Sequence, residues 1–151
     1  DVYDGAIPSG NSVAAYNFIR LGRLLSRTDY EEISLNLVNK YSNRLNRSGR
    51  NQTMMMKAVD FLKGPSYEVI IFGGSNNKET KKIISVINQS KQSNKVTIFV
   101  DNNNRESIEG LMPYISFFPI HKKQEPIVYV CKNYSCQLPT SDIDTIIKLL
   151  E

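Results

Sequence analysis

No apolar run in this chain approaches the ~18 residues that a membrane-spanning helix needs, so no transmembrane segment or membrane partner is expected. The N-terminus has no basic-then-apolar leader pattern. The chain begins with Asp1 rather than Met, which fits a fragment or a processed product. Histidine is nearly absent, with one residue, and there are two cysteines. That set is too poor for a four-ligand structural zinc site, and no metal is expected. Neither G-x-G-x-x-G nor a P-loop lysine pattern occurs, so no nucleotide cofactor is expected. A net charge of +4 and a pI near 9 would suit nucleic acid. However, the Lys and Arg residues are scattered, with no block and no recognition motif, and a solvated basic surface is the better reading.

What remains is an ordinary globular composition, 40% hydrophobic and 23% charged, long enough for one good core or two small packed units. Asparagine is abundant. Four Asn-x-Ser/Thr triplets, beginning at Asn46, Asn51, Asn88 and Asn133, read as chance matches in a chain without a leader.

The chemistry-bearing residues are concentrated at the two ends. Asp4-Gly5-Ala6-Ile7-Pro8-Ser9-Gly10-Asn11-Ser12 places a carboxylate, hydroxyls and an amide at the mouth of a helix. A helix N-terminus receives anions and hydroxyls well, so Asp4, Ser9 and Asn11 read either as substrate-binding tips or as turn and cap acceptors. Helical spacing of Ala14, Phe18, Leu21 and Leu25 predicts a first helix capped by Asn11 or Ser12. A second is expected from Asp29, boxed by Glu32, through Leu45, and a third from about Gln52 to Gly64-Pro65.

From Ser66 onward the pattern changes. Tyr67–Phe72, Val96–Val100 and Ile127–Cys131 read as strands, alternating with helices carrying Ile83, Ile84 and Ile87 and then Ile143, Ile146 and Ile147. The expectation is a mixed α/β chain: residues 1–64 as helical hairpins, and residues 65–151 as a small three-stranded, mainly parallel α/β layer. Gly73-Gly74-Ser75 and Asp101 would lie at the strand ends where open sheets bind ligands, with Asp101 read as a cap of the Asn-rich turn. His121 reads as a solvated loop residue. Cys131 and Cys136, spaced C-x4-C, read either as a redox pair or as two reduced, structural thiols. The second is the default for a chain without a leader, for which a cytoplasmic location is expected.

Two blocks carry a family resemblance: Asp4-Gly5-Ala6-Ile7-Pro8-Ser9-Gly10-Asn11-Ser12-Val13-Ala14-Ala15, with Leu21 and Leu24-Leu25, and Tyr129-Val130-Cys131-Lys132-Asn133-Tyr134-Ser135-Cys136-Gln137-Leu138-Pro139-Thr140. Together they resemble the C-terminal portion of thioredoxin-domain-containing, spermatogenesis-associated protein 20-like proteins. The resemblance implies an upstream thioredoxin-like domain and an (α/α) toroid similar to six-hairpin glycosidases and N-acylglucosamine 2-epimerases. Residues 1–64 would then be the last hairpins of that toroid, with Asp4, Ser9 and Asn11 lining a cavity for a sugar-like small molecule. No complete active site is expected in this chain alone. The alternatives from other classes are a thiol redox or chaperone-like accessory using Cys131 and Cys136, and a structural docking module.

Overall fold

Ser9 starts the first helix because its hydroxyl accepts the Ser12 N–H at 3.2 Å, satisfying one of the orphan donors of the opening turn. The computed structural model describes residues 2–119 and 125–151, so His121 lies outside the described residues. Helix α1 runs Gly10–Leu25, α2 Thr28–Lys40, α3 Ser42–Ser48 and α4 Thr53–Lys63. The N-cap is therefore Ser9 rather than Asn11 or Ser12. The expected second helix is broken at Tyr41, in a stretch of Asn and Ser whose side chains compete for backbone hydrogen bonds. The capping box expected at Asp29 is not made. Asp29 instead takes the Arg27 guanidinium at 2.7 Å, an exposed pair of little energetic weight.

The chain divides into two compact units, Asp1–Ser66 and Tyr67–Glu151. In the first, α1 buries Ser12, Ala15, Ile19 and Gly22, a stripe of mostly small residues that lets α2 approach closely. The Ser34 hydroxyl, fully buried on α2, donates to the Ala15 carbonyl at 2.8 Å across that crossing. Val2, Ala15, Met55 and Ala58 form the buried cluster, with Leu37, Val38, Tyr41 and Leu45 packed against it.

In the second unit, strand β1 (Tyr67–Phe72) pairs parallel with β2 (Lys95–Val100) through helix α5 (Lys78–Gln89). Strand β3 (Ile127–Lys132) pairs antiparallel with β1, and β4 (Ser135–Cys136) pairs antiparallel with β3. Helix α7 (Ile143–Leu149) closes the unit, its N-terminus capped by the Asp142 carboxylate on the Thr145 N–H at 2.8 Å. The α/β expectation holds, but the sheet is four-stranded and mixed, in the order β2-β1-β3-β4. Between β2 and β3 lie the seven-residue helix α6 (Arg105–Leu111) and a 3-10 segment, Pro113–Phe117. A helix of that length is too short to carry the chain back along a strand, so β3 enters reversed.

Side-chain alternation gives the sheet two faces. Tyr67, Val69 and Ile71 pack with Ile83, Ile87, Val128, Val130, Ile146 and Leu150. By the same alternation Glu68, Ile70 and Phe72 lie on the opposite face, as do Tyr129 and Cys131. Gly73 follows β1 because a Cβ there would stand 2.6 Å from Thr80 Oγ1 and 3.3 Å from the Pro126 Cα. Gly73→Ala is expected to lower stability by about 1–2 kcal/mol in urea unfolding, since the turn must shift away from α5.

Candidate functional site

The opening stretch is stitched into the helical unit. The Asp4 carboxylate accepts the Ser9 N–H at 2.9 Å through one oxygen, and the Met54 and Met55 N–H groups at 2.8 and 3.2 Å through the other. The Asp4 N–H donates to the Asn51 carbonyl at 2.8 Å. Helix α4 has no capping side chain from its own flank, so Asp4 caps it from about fifty residues away, at the end where negative charge is favoured. Burial works against the charged carboxyl. The bonds from Ser9, Ser12, Met55 and Met54 outweigh it and hold Asp4 below the usual carboxylate range. Ser9 is the α1 cap, and the Asn11 amide donates to the Tyr41 hydroxyl at 3.0 Å. The three side chains named from sequence thus share one neighbourhood, each with a bond that builds the fold. Ala6 and Ile7 stand exposed at the tip of the loop.

At the carboxyl ends of β1 and β2 lies a cavity of about 130 Å³, lined by Gly73, Gly74, Ser75, Asn76, Asp101, Asn102, Asn103 and Arg105 among others. Its charged groups are already bound. Asp101 accepts the Asn103 and Asn104 N–H groups at 2.9 Å each, the expected cap of its turn. Arg105 donates to Glu109 at 2.6 Å and to the Phe118 carbonyl at 2.8 Å.

The third locus is the β3–β4 hairpin. Asn133 and Tyr134 form a two-residue turn with φ of 50° and 66°, the positive values that a tight hairpin demands and that Asn accepts readily. A two-residue turn makes Lys132 and Ser135 the closing pair, so the next pair out is Cys131 opposite Cys136. At such a site neighbouring Cα atoms come closest. The two are joined by a disulfide, with Cα atoms 3.7 Å apart. The expectation of two reduced thiols is thereby corrected. C-x4-C is the spacing that a two-residue hairpin turns into a directly opposed pair, and Asn133 was the signal for that turn. Cys131 is 2% exposed, whereas Cys136 lies on the exposed β4 edge.

Sequence reading also passed over Glu68, which interrupts an otherwise apolar strand. It is 5% exposed, stands opposite Cys131 in the β1–β3 register, and accepts the Tyr134 N–H at 3.0 Å. Tyr114, in the 3-10 segment, has its phenol pushed up to about 12 by burial and, second, by the charge of Glu68. Among the described residues no group of three or more His, Cys, Asp or Glu is placed to hold a metal ion. No helix there is long and apolar enough to cross a membrane.

These features define a helical unit and a mixed α/β unit whose distinctive chemistry is a bridged hairpin beside a buried acid. The chain is similar over nearly its whole length to spermatogenesis-associated protein 20. It is 28% identical to the human protein over 150 residues, covering 99% of this chain and 19% of the relative. It is 28% identical to the Rattus norvegicus protein with the same coverage. An uncharacterized Caenorhabditis elegans protein is 25% identical over 97% of this chain and 20% of its own length. The chain therefore spans about a fifth of the length of the curated relatives it matches. No family model and no solved structure matches it.

Proposed function

We propose that the α/β unit is a thiol–disulfide exchange accessory of a longer protein, with Cys131 and Cys136 as its reacting pair. The observation that carries this reading is the disulfide between directly opposed residues, with one sulfur buried and the other on an exposed edge strand. A disulfide in a reducing compartment is typically transient and catalytic or redox-sensing, so the cytoplasmic location expected from sequence would make this bond a working one. The β1–α5 turn holds Gly73-Gly74-Ser75-Asn76-Asn77, with no C-x-x-C, which confines thiol chemistry in this unit to the hairpin.

The sugar-cavity reading of the opening stretch has weaker support, because the polar tips of Asp4, Ser9 and Asn11 already serve the helices. The toroid hairpins and the upstream thioredoxin-like portion implied by the resemblance are carried forward as properties to test in the longer protein. The direct test here is native thiol counting. Millimolar dithiothreitol without denaturant should release two thiols per chain, which re-form the bond on dialysis in air while the far-ultraviolet circular dichroism stays constant. Thiols that appear only after denaturation would refute the exchange role.

A further inference from the structure

We infer that this disulfide opens by attack on the exposed Cys136, and that Glu68 slows the opening by making Cys131 a reluctant leaving group. The inference rests on the exchange reading above. Antiparallel pairing puts Glu68, Cys131 and Cys136 in one row across β1, β3 and β4, on the same face of the sheet. Directly opposed side chains stand with Cβ atoms roughly 4.5–5.5 Å apart. Glu68 is one residue from the strand start, buried, and its carboxylate takes the N–H of Tyr134 in the turn that holds the bridge closed. A carboxylate in that position is costly unless bonded; its bond here goes to the element that the disulfide spans. Among the described residues, Tyr114 and Tyr129 also face this side, both phenols with raised pKa, while the Arg105–Glu109 pair lies at the far end, with the Arg105 guanidinium over the Phe72 ring.

The chemistry follows from exposure and charge. An incoming thiolate reaches the exposed Cys136 sulfur and forms a mixed disulfide with it. The bond between the two protein sulfurs breaks, and the Cys131 sulfur departs with the electron pair and then takes a proton from water. With a dithiol as reductant, its second thiolate attacks the mixed disulfide, closes its own ring and releases Cys136 as a thiol. Two electrons and two protons thus pass from the dithiol to the protein. The leaving thiolate of Cys131 forms beside the Glu68 carboxylate. Like charge disfavours it, raises its pKa and slows its departure.

Glu68→Gln keeps the size and an acceptor for Tyr134 but removes the charge. The variant should be reduced by dithiothreitol roughly three- to tenfold faster at neutral pH. In the reduced protein, its Cys131 thiol, followed by the pH dependence of iodoacetamide alkylation, should titrate lower than in wild type. A purely structural role for Glu68 would not move that titration. In the wild-type protein, limited treatment with oxidised and reduced glutathione followed by peptide mapping should place the adduct on Cys136. An adduct on Cys131, or an unchanged rate and titration in the variant, would overturn the inference while leaving the exchange role standing. A wild-type bond that no thiol opens under native conditions overturns both.

Discussion

Gly22→Val is expected to destabilise the helical unit by about 2–4 kcal/mol, the largest effect of any single change considered for this chain. A Cβ at Gly22 would stand 2.6 Å from Glu31 Cγ, 3.0 Å from the Arg27 carbonyl oxygen and 3.1 Å from the Glu31 nitrogen. Rotation of the Glu31 side chain would relieve the first contact; the two backbone contacts are fixed by the turn between α1 and α2 and by the first turn of α2. That turn is itself closed by the Arg27 N–H on the Gly22 carbonyl at 2.8 Å. Glu31 is held there by Arg23, their side chains 3.5 Å apart and both largely shielded. A branched side chain must therefore pry the two helices apart and loosen the Ser34–Ala15 bond further along the same crossing. Urea denaturation followed by circular dichroism measures the loss. A midpoint within error of wild type would show that the crossing is looser than described.

Asp4→Ala should cost about 2–3 kcal/mol, because three backbone N–H groups lose a charged acceptor at once. Asp4→Asn, which keeps the shape but lacks the charge and one acceptor, should fall between the two. The pH dependence has a definite sign. The folded carboxyl titrates below its unfolded value, so its stabilisation is fully present above the unfolded pKa of about 3.9. It is lost as pH falls through the folded value. The difference in stability between wild type and Asp4→Ala should therefore be constant near neutrality and shrink below about pH 4. If Asp4 were instead a free tip lining a binding cavity, its replacement would leave stability within ~0.5 kcal/mol of wild type.

The same residues show what could be read without the fold and what could not. Strong local patterns survived: β1, β2 and β3 and helices α1, α4 and α5 lie where periodicity put them. Asp4 was legible as chemistry but not as structure, because two of its partners are Met54 and Met55, far along the chain. The apolar spacing that marks helix α1 does not mark its buried face. Leu21 is 40% exposed while Gly22 is buried, because a tight crossing selects small residues over apolar ones. Strand β3 lies where the pattern puts it, but its antiparallel direction was not legible, since direction depends on how α6 and the 3-10 segment return the chain. The disulfide was within reach. Asn133 in a C-x4-C block is a hairpin signal, and the hairpin register alone opposes the two cysteines.

The most direct measurement is an equilibrium redox titration of Cys131 and Cys136 in glutathione buffers, read by mass after acid quenching and alkylation. An exchange site should show a two-electron transition between about −180 and −300 mV, the range over which cellular thiol systems operate. A bond that stays closed below about −300 mV would behave as a structural staple, and the exchange role of the hairpin would be contradicted.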